Sequence, residues 1–506
     1  STGSGKSNTA YGMLCELRKL GVHFLVIEPA KGEYKGVFGK MPGVRVFGTN
    51  PRLGPILKIN PFRFAPGIHV LEHIDRLVEI FNVCWPMYAA MPAVLKEAIL
   101  QAYTACGWDL NSSTNLYSEE LFPTFADLKK ELVNVIQQSG YSEEVKSNYI
   151  GSLVTRVNSL TNGLNGQLFS ADEIESRVLF DGDVIADLSR VGSSETKALI
   201  MGILVMRLNE YRMARAQQSN LPLRHVTVLE EAHNLLQKSD VGQSGEEAHV
   251  GAKSVEMLAN SIAEMRTYGE GFIIADQSPG AIDISAIRNT NTKIIMRLPE
   301  EQDRRLAGKA AALKDDQLDE VARLPRGVAV VYQNNWVEPI LCNIRKFEMP
   351  RFDPYEEESL PAVGTPAFLP LLVKALLAKK SGEPLPERVQ ALTERIPRMD
   401  LTSKAKIQAL RALRANGKCT RANLGAILYD VIYTPVVEQE ASQAESLDEW
   451  RDILVYGGSG VLSGLTEKEQ NFALEVILEE MINRHKGSEA YLQQWHDFCE
   501  KMEAGG

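Results

Sequence analysis

Seven residues that open the sequence, Ser1-Thr2-Gly3-Ser4-Gly5-Lys6-Ser7, have the types and spacing needed to hold a polyphosphate. They match the last positions of the pattern G-x-x-x-x-G-K-[ST], which joins a strand to a helix. The first glycine of that pattern would stand immediately before Ser1. Glycines let the backbone curl so that successive N–H groups point inward at phosphate oxygens. Thr2, Gly3, Ser4, Gly5, Lys6, Ser7 and Asn8 then form a nucleotide cradle. Lys6 sets a positive charge against the outer phosphates, and the Ser7 hydroxyl ligates Mg²⁺. A flexible Ser/Gly-rich leader is the plainer reading, but such a leader does not end in Lys-Ser followed by a helix and a strand. The chain does not begin with Met and starts inside a motif, so its natural N-terminus is expected upstream.

Hydrolysis of ATP needs carboxylates at the far end of a neighbouring strand. The stretch 225–233, HVTVLEEAH, is an apolar run that stops abruptly in two acids. Glu230 takes the magnesium-side position and Glu231 the general-base position. Many such sites carry Asp first; the longer Glu230 sets its carboxylate about one methylene further out. The competing reading is a strand-to-helix junction whose acids offset the helix dipole. A third run, 272–275, ends in Asp276-Gln277-Ser278-Pro279. Gln277 is the candidate to sense the γ-phosphate through a hydrogen bond, against the alternative of a turn residue before Pro279. The cofactors expected are ATP and Mg²⁺.

These groups need elements to aim them. Residues 8–20 read as a helix with apolar positions at Met13, Leu14, Leu17 and Leu20, followed by a buried parallel-type strand over 23–27. Strands over 183–188, 293–296 and 328–332 are expected to complete one sheet of mostly parallel type. Between about 64 and 177 the segments HIDRLVEIF, PAVLKEAILQAY and FADLKKELVNVI repeat apolar residues at helical spacing. Their bulky aromatics Trp85, Tyr88 and Trp108 are expected to pack a core, with DNA stacking as the rival. The polar, Gly-rich stretch 239–253 reads as a flexible loop, or else as a ring-interior loop that moves with hydrolysis. A proline-rich linker and an all-helical tail follow. In the tail Lys404, Arg411, Arg414 and Lys418 share one helix face, with Ile407, Leu410 and Leu413 on another. A solvated basic face is the default there, and a phosphate-backbone contact the rival.

The predicted architecture is therefore α/β: a P-loop NTPase core with a mostly parallel sheet, a helical insertion and a helical C-terminal domain. Its divisions are 1–63 and 178–349 for the core, 64–177 for the insertion, 350–370 for the linker and 371–506 for the tail. With 506 residues, 44% hydrophobic and 24% charged, the chain falls among soluble multidomain proteins. No run of 18 apolar residues and no secretory signal is visible, so no membrane partner is expected and the cytoplasm fits best. Six cysteines without a C-x-x-C pair and eight histidines without an H-x-x-x-H pair give no framework for disulfides or zinc. The net charge of −10 weighs mildly against nucleic acid. A pore can nonetheless be basic inside an acidic exterior.

The strings STGSGKS (1–7), VIEPAKGEYKG (26–36), INPF (59–62), VLEEAHNLL (228–236), EMRTYGEGFIIADQSP (264–279) and NTKIIMRL (291–298) resemble, in order and spacing, the HerA branch of the HerA/FtsK superfamily. The resemblance covers roughly residues 1 to 345. It implies a RecA-like core in a ring-forming ATPase, usually hexameric, that translocates double-stranded DNA. Such motors work beside a nuclease in end resection or in defence against foreign DNA. It also implies that Glu28 lies close to the nucleotide and that Arg266 reaches a neighbouring subunit's nucleotide. A finger of that kind is worth about 10³–10⁵ in rate. Arg297, Arg304 and Arg305 are rival fingers. The family's usual Asp-Glu pair is Glu230-Glu231 here, and its N-terminal β-barrel and first sheet strand are not in this sequence. Two other functions stay open: an ATP-gated scaffold for an effector enzyme, and a conjugation-type DNA pump.

Overall fold

The computed structural model describes residues 5–216, 218–238, 246–348, 365–414, 416–457 and 460–484. Thr2, Gly3 and Ser4 of the expected cradle, 239–245 of the expected loop and most of the expected linker lie outside them.

The chain divides into two compact units. The first comprises Ser1–Ile99, Leu132–Phe169 and Glu173–Leu360. Its leading elements are helix α1 (Lys6–Lys19), strand β1 (His23–Glu28), helix α2 (Glu33–Phe38) and strand β2 (Val44–Phe47). Strands β3 (Asp183–Asp187), β4 (His225–Glu230) and β5 (Glu270–Ala275) follow. They form a five-stranded sheet in the order β2-β3-β1-β4-β5, and every pairing is parallel. β3 and β4 are buried along their whole length and β1 from Phe24 onward. That matches their continuous apolar runs, since a parallel sheet is covered on both faces. Because the strands share one direction, all their carboxyl ends lie on one edge. Glu28, Asp187, Glu230 and the residues after Ala275 are thereby gathered from distant parts of the sequence.

α1 buries Ala10, Tyr11 and Leu14, whereas Leu20 is 78% exposed. The expected stripe is thus rotated, because Tyr11 turns inward to pack edge-on against Tyr34 and Phe38. The cluster continues into the sheet through Phe24, Val26, Ile185 and Val228. Helix α3 (Val70–Cys84) packs against helix α4 (Ser194–Arg215), which is buried almost all round from Thr196 to Tyr211. The polar groups caught there are paired. Arg207 forks onto Glu173 at 2.7 and 2.9 Å, and Glu173 accepts the Asn60 amide at 2.8 Å. His73 faces Glu210 with Nδ1 at 2.9 Å and the Pro61 carbonyl with Nε2 at 3.1 Å.

Strands β6 (Thr292–Ile295), β7 (Val328–Gln333) and β8 (Ile340–Asn343) depart from expectation. They form a separate antiparallel sheet, in the order β8-β7-β6, instead of extending the parallel one. Between the edges of β5 and β6 runs a cavity of about 810 Å³, lined by Phe272, Ile274, Ile294 and Met296 among others. Among the described residues no strand fills that space, so the two edges do not pair. The expected loop 239–253 is also corrected in part: helix α5 (Glu246–Glu264) begins within it.

The second unit comprises Leu100–Glu131, Ser170–Asp172 and Pro361–Gly506. Among its described residues the only strands are Trp108–Asp109 and Thr114–Asn115, paired antiparallel; the described tail is all helical. Helices α6 (Thr365–Ser381), α7 (Ser403–Leu413), α8 (Arg421–Ile432) and α9 (Glu467–Arg484) enclose a core built on Leu372, Leu376, Leu410, Ile427, Trp450 and Ile477. α6 starts inside the expected linker and carries Pro370 within it. The stretch 64–177 does not stay together as one insertion, since 100–131 and 170–172 fall in this second unit. Trp85 and Trp108 are core residues at 4% and 3% exposure, while Tyr88 is 38% exposed. The basic face is smaller than expected, because α7 ends at Leu413 before Lys418. Arg411 lies over the Tyr117 ring at 4.9 Å and Arg414 donates to the Leu116 carbonyl at 3.1 Å.

A candidate phosphate and metal site at the carboxyl edge of the sheet

α1 enters the site with an uncapped N-terminus. Gly5 has φ 109° and offers no side-chain cap, and the first turn holds no acid. Any side chain there would be strained by the backbone angle. The first bond within the helix is from the Thr9 amide to the Gly5 carbonyl, 3.0 Å. The amides of Lys6, Ser7 and Asn8 therefore lack intrahelical partners and sit at the positive end of the helix dipole, an arrangement suited to phosphate.

The Lys6 amine stands between the two acids, 3.0 Å from Glu230 Oε2 and 3.3 Å from Glu231 Oε1. Burial disfavours its charge, but the two carboxylates outweigh burial and raise its pKa. Glu230 is the last residue of β4 and is buried; its Oε1 accepts the Tyr34 hydroxyl at 2.6 Å. Burial pushes the Tyr34 phenol well up, with Glu230 adding to the effect, so the hydroxyl remains a donor. Glu231 follows in a left-handed conformation, φ 46° and ψ 53°. A side chain held there costs on the order of 1–3 kcal/mol and must be fixed by its surroundings. Asn234 does so through its amide groups, which donate to the Glu231 carbonyl at 3.0 Å from the backbone and 2.8 Å from the side chain. Gln277 Nε2 then donates to Glu231 Oε1 at 2.5 Å. The predicted lysine, acids and glutamine thus meet in one cluster.

Asp276 accepts both the backbone amide and the ring Nδ1 of His233, each at 2.8 Å. That hydrogen bond raises the imidazole pKa against the opposing effect of burial. The ring nitrogen is also 3.7 Å from Glu231 Oε2. Ligand atoms of Glu231, His233 and Asp276 all lie within 4.8 Å of one another. Glu230 adjoins Glu231, and Ser7 follows Lys6, whose amine lies between the two acids; with their oxygens the donor set would be rich in oxygen, the chemistry that a magnesium ion requires.

Two expected site residues, Glu28 and Asn8, are engaged elsewhere, and Arg266 stands apart from the cluster. The Glu28 carboxylate accepts the amides of Glu33 at 2.7 Å and Tyr34 at 3.1 Å, so it caps α2 instead of facing the cradle. Burial pushes its pKa up to about 7 despite those two bonds. The Asn8 side chain accepts the Phe347 amide at 2.7 Å and donates to the Arg345 carbonyl at 3.1 Å, which leaves only its backbone amide for phosphate. Arg266 lies on the turn Met265–Tyr268 before β5, at the opposite end of that strand from Gln277. Six residues of strand separate the ends by roughly 20 Å, so Arg266 does not join its own chain's cluster. It is exposed and makes no ion pair among the described residues. Of its rivals, Arg305 is paired with Glu301 at 2.9 Å and Arg304 with Asp319 at 3.7 Å, while Arg297 lines the cavity beside β6. Tyr34, His233 and Asp276 were missed by the sequence reading. His233 and Asp276 adjoin predicted residues and were within reach; nothing in the spacing pointed Tyr34 at a partner 196 positions away.

Residues 1–208 match the family model described as the central domain of helicase HerA. The chain is 23% identical over 353 residues to the DNA double-strand break repair helicase HerA of Sulfurisphaera tokodaii, covering 69% of this chain and 64% of that protein. It is 26% identical over 372 residues to the probable DNA double-strand break repair helicase HerA of Methanocaldococcus jannaschii, covering 69% and 70%. The chain thus spans 64% of the length of the first of these relatives. Among solved structures, VirB4 of Thermoanaerobacter pseudethanolicus superposes with a TM-score of 0.51 at 18% identity, covering 68% of this chain and 87% of VirB4. No helix among the described residues is long and apolar enough to cross a membrane. In sequence the chain is similar to HerA, and it has its fold in common with VirB4.

Proposed function

We propose that the chain binds Mg·ATP at the N-terminus of α1 and hydrolyses it to drive a HerA-type motor on double-stranded DNA. In this reading it works as a cytoplasmic homo-hexamer with a nuclease or other effector, in DNA processing or anti-phage defence. The observation that carries the reading is the Lys6 amine bridging Glu230 and Glu231 beside an uncapped helix end, with Gln277 already on Glu231. A lysine so placed exchanges carboxylate partners for phosphate oxygens when nucleotide arrives. That exchange frees Glu231 to take a proton from water, and it frees Glu230, with Ser7, to hold magnesium. The backbone amides of Lys6, Ser7 and Asn8 would hold the phosphates, and a bound magnesium ion would supply charge neutralisation at the γ-phosphate. The exposed Arg266, remote from its own cluster, suits a role at a neighbour's nucleotide. DNA as the substrate rests on the named activity of the HerA relatives.

The test is the ATPase rate of the full-length protein with and without double-stranded DNA of graded length. A motor responds to the DNA. A rate that is flat across lengths, from a protein that still hydrolyses ATP, supports the ATP-gated scaffold in its place. Absence of any Mg·ATP uptake by calorimetry removes both, and with them the conjugation-type pump.

A further inference from the structure

Within the Mg·ATP reading, on which this inference rests, we infer that Tyr34 is the positioning residue for the metal-side carboxylate Glu230, and that it fixes which of the two oxygens is presented to the metal. The Tyr34 hydroxyl donates to Glu230 Oε1 at 2.6 Å, while Oε2 carries the Lys6 amine at 3.0 Å. The two oxygens are therefore distinguished before any ligand arrives: one is bound to a fixed phenol, the other to a mobile amine that phosphate can draw away. A glutamate has one more rotatable bond than the aspartate often found at this position. A buried glutamate without a second anchor would spread its carboxylate over several rotamers. Tyr34 supplies that anchor.

The anchor is itself rigid. Tyr34 is 1% exposed, and its ring is held edge-on by Tyr11 at 4.9 Å and in a stacked arrangement by Phe38 at 6.3 Å. Its backbone amide is bound by the Glu28 carboxylate at 3.1 Å. Before it, Lys31 and Gly32 take consecutive left-handed conformations, φ 68° and 65°, which bend the chain from β1 into α2. A Cβ at Gly32 would stand 3.2 Å from Ser189 Oγ and 3.3 Å from an Asp187 oxygen, so the bend admits little else. After it, Lys35 pairs with Asp187 at 3.0 Å. The segment VIEPAKGEYKG is thus a bracket from the end of β1 to Glu230 on β4, and this use of Tyr34 and Glu28 differs from a contact with nucleotide.

The experiment is a double-mutant cycle with Tyr34→Phe, which keeps the ring and removes only the hydroxyl, and Glu230→Gln. Two quantities are measured on the full chain: Mn²⁺ uptake in the presence of ADP, by the loss of the free-ion spin-resonance signal, and metal-free ADP affinity. Tyr34→Phe is expected to weaken Mn²⁺ uptake about tenfold, the scale of one hydrogen bond to a charged group, and to leave metal-free ADP affinity unchanged. In the Glu230→Gln background the same substitution is expected to have no further effect. A merely structural tyrosine would lower metal-free ADP affinity as well and act equally in both backgrounds. Unchanged Mn²⁺ uptake in Tyr34→Phe, or an equal loss with and without Glu230, overturns the inference while the nucleotide reading stands. A wild-type protein that takes up no Mn²⁺ with ADP overturns both.

Discussion

Lys6 has a different partner in each state of the proposed cycle, so substitutions at the cluster should separate binding from turnover. Lys6→Ala is expected to weaken nucleotide binding by on the order of 100-fold or more, since two charge-assisted bonds of about 1.5–3 kcal/mol each are removed. Glu231→Gln should keep ATP and lower turnover by about 10²–10⁴, the usual share of a general base. Calorimetry and a single-turnover assay check the pair, and wild-type turnover in Glu231→Gln would end the general-base assignment. Glu28 gives a pH signature of its own. Its pKa rises from 4.5 to about 7 on folding because it is buried. A raised carboxyl stabilises the fold fully below its unfolded pKa and loses that contribution as pH rises through the folded value. At most about 3 kcal/mol is at stake. Glu28→Gln cannot ionise, so its melting temperature relative to wild type should climb between pH 5 and pH 8. A difference that stays constant over that range would mean Glu28 does not titrate there.

At the scale of elements, α1 decides how the phosphate amides are aimed, and the residues that hold it are those facing the sheet. Leu14 is fully buried against the cluster that includes Phe24 and Val26, whereas Leu20 is 78% exposed. Leu14→Ala is expected to cost about 2–5 kcal/mol and to weaken nucleotide binding as the helix end loosens. Leu20→Ala should stay within about 0.5 kcal/mol. Thermal unfolding of both variants checks the assignment, and comparable losses would restore the stripe expected from spacing. That stripe was misread because Tyr11, polar at its tip, turns inward among aromatics while Leu20 ends the helix in solvent. The strands show the same division. Those over 23–28, 183–187 and 225–230 were legible as unbroken apolar runs, which a parallel sheet requires. The runs at 292–295 and 328–333 look similar as strings, yet they pair with each other antiparallel. A short apolar run records that it is buried and leaves its neighbour unstated.

For the molecule as a whole, the parallel sheet brings residues 6, 28, 34, 230, 231 and 277 to one edge and leaves Arg266 at the other. In a ring, such an arrangement asks for a neighbour to complete the site. Mixing Arg266→Ala subunits with Lys6→Ala subunits should therefore restore part of the ATPase rate that each variant lacks alone, provided mixed rings form on gel filtration. No recovery at any ratio would reassign Arg266 to a local role. In the helical second unit Arg411 lies over the Tyr117 ring and Arg414 donates to the Leu116 carbonyl, both remaining exposed.

Local strings carried the chemistry of this protein: a glycine-lysine-serine turn before a helix, and two acids closing an apolar strand, are nearest-neighbour patterns whose geometry follows from a few backbone angles. The fold class was legible for the same reason. Strand register and helix rotation alone decided that Tyr34 meets Glu230, that Asp276 holds His233, that Glu28 caps a helix and that two sheets stand apart. Those contacts join residues tens to hundreds of positions apart, and spacing along a chain holds no record of which strand edges will face each other.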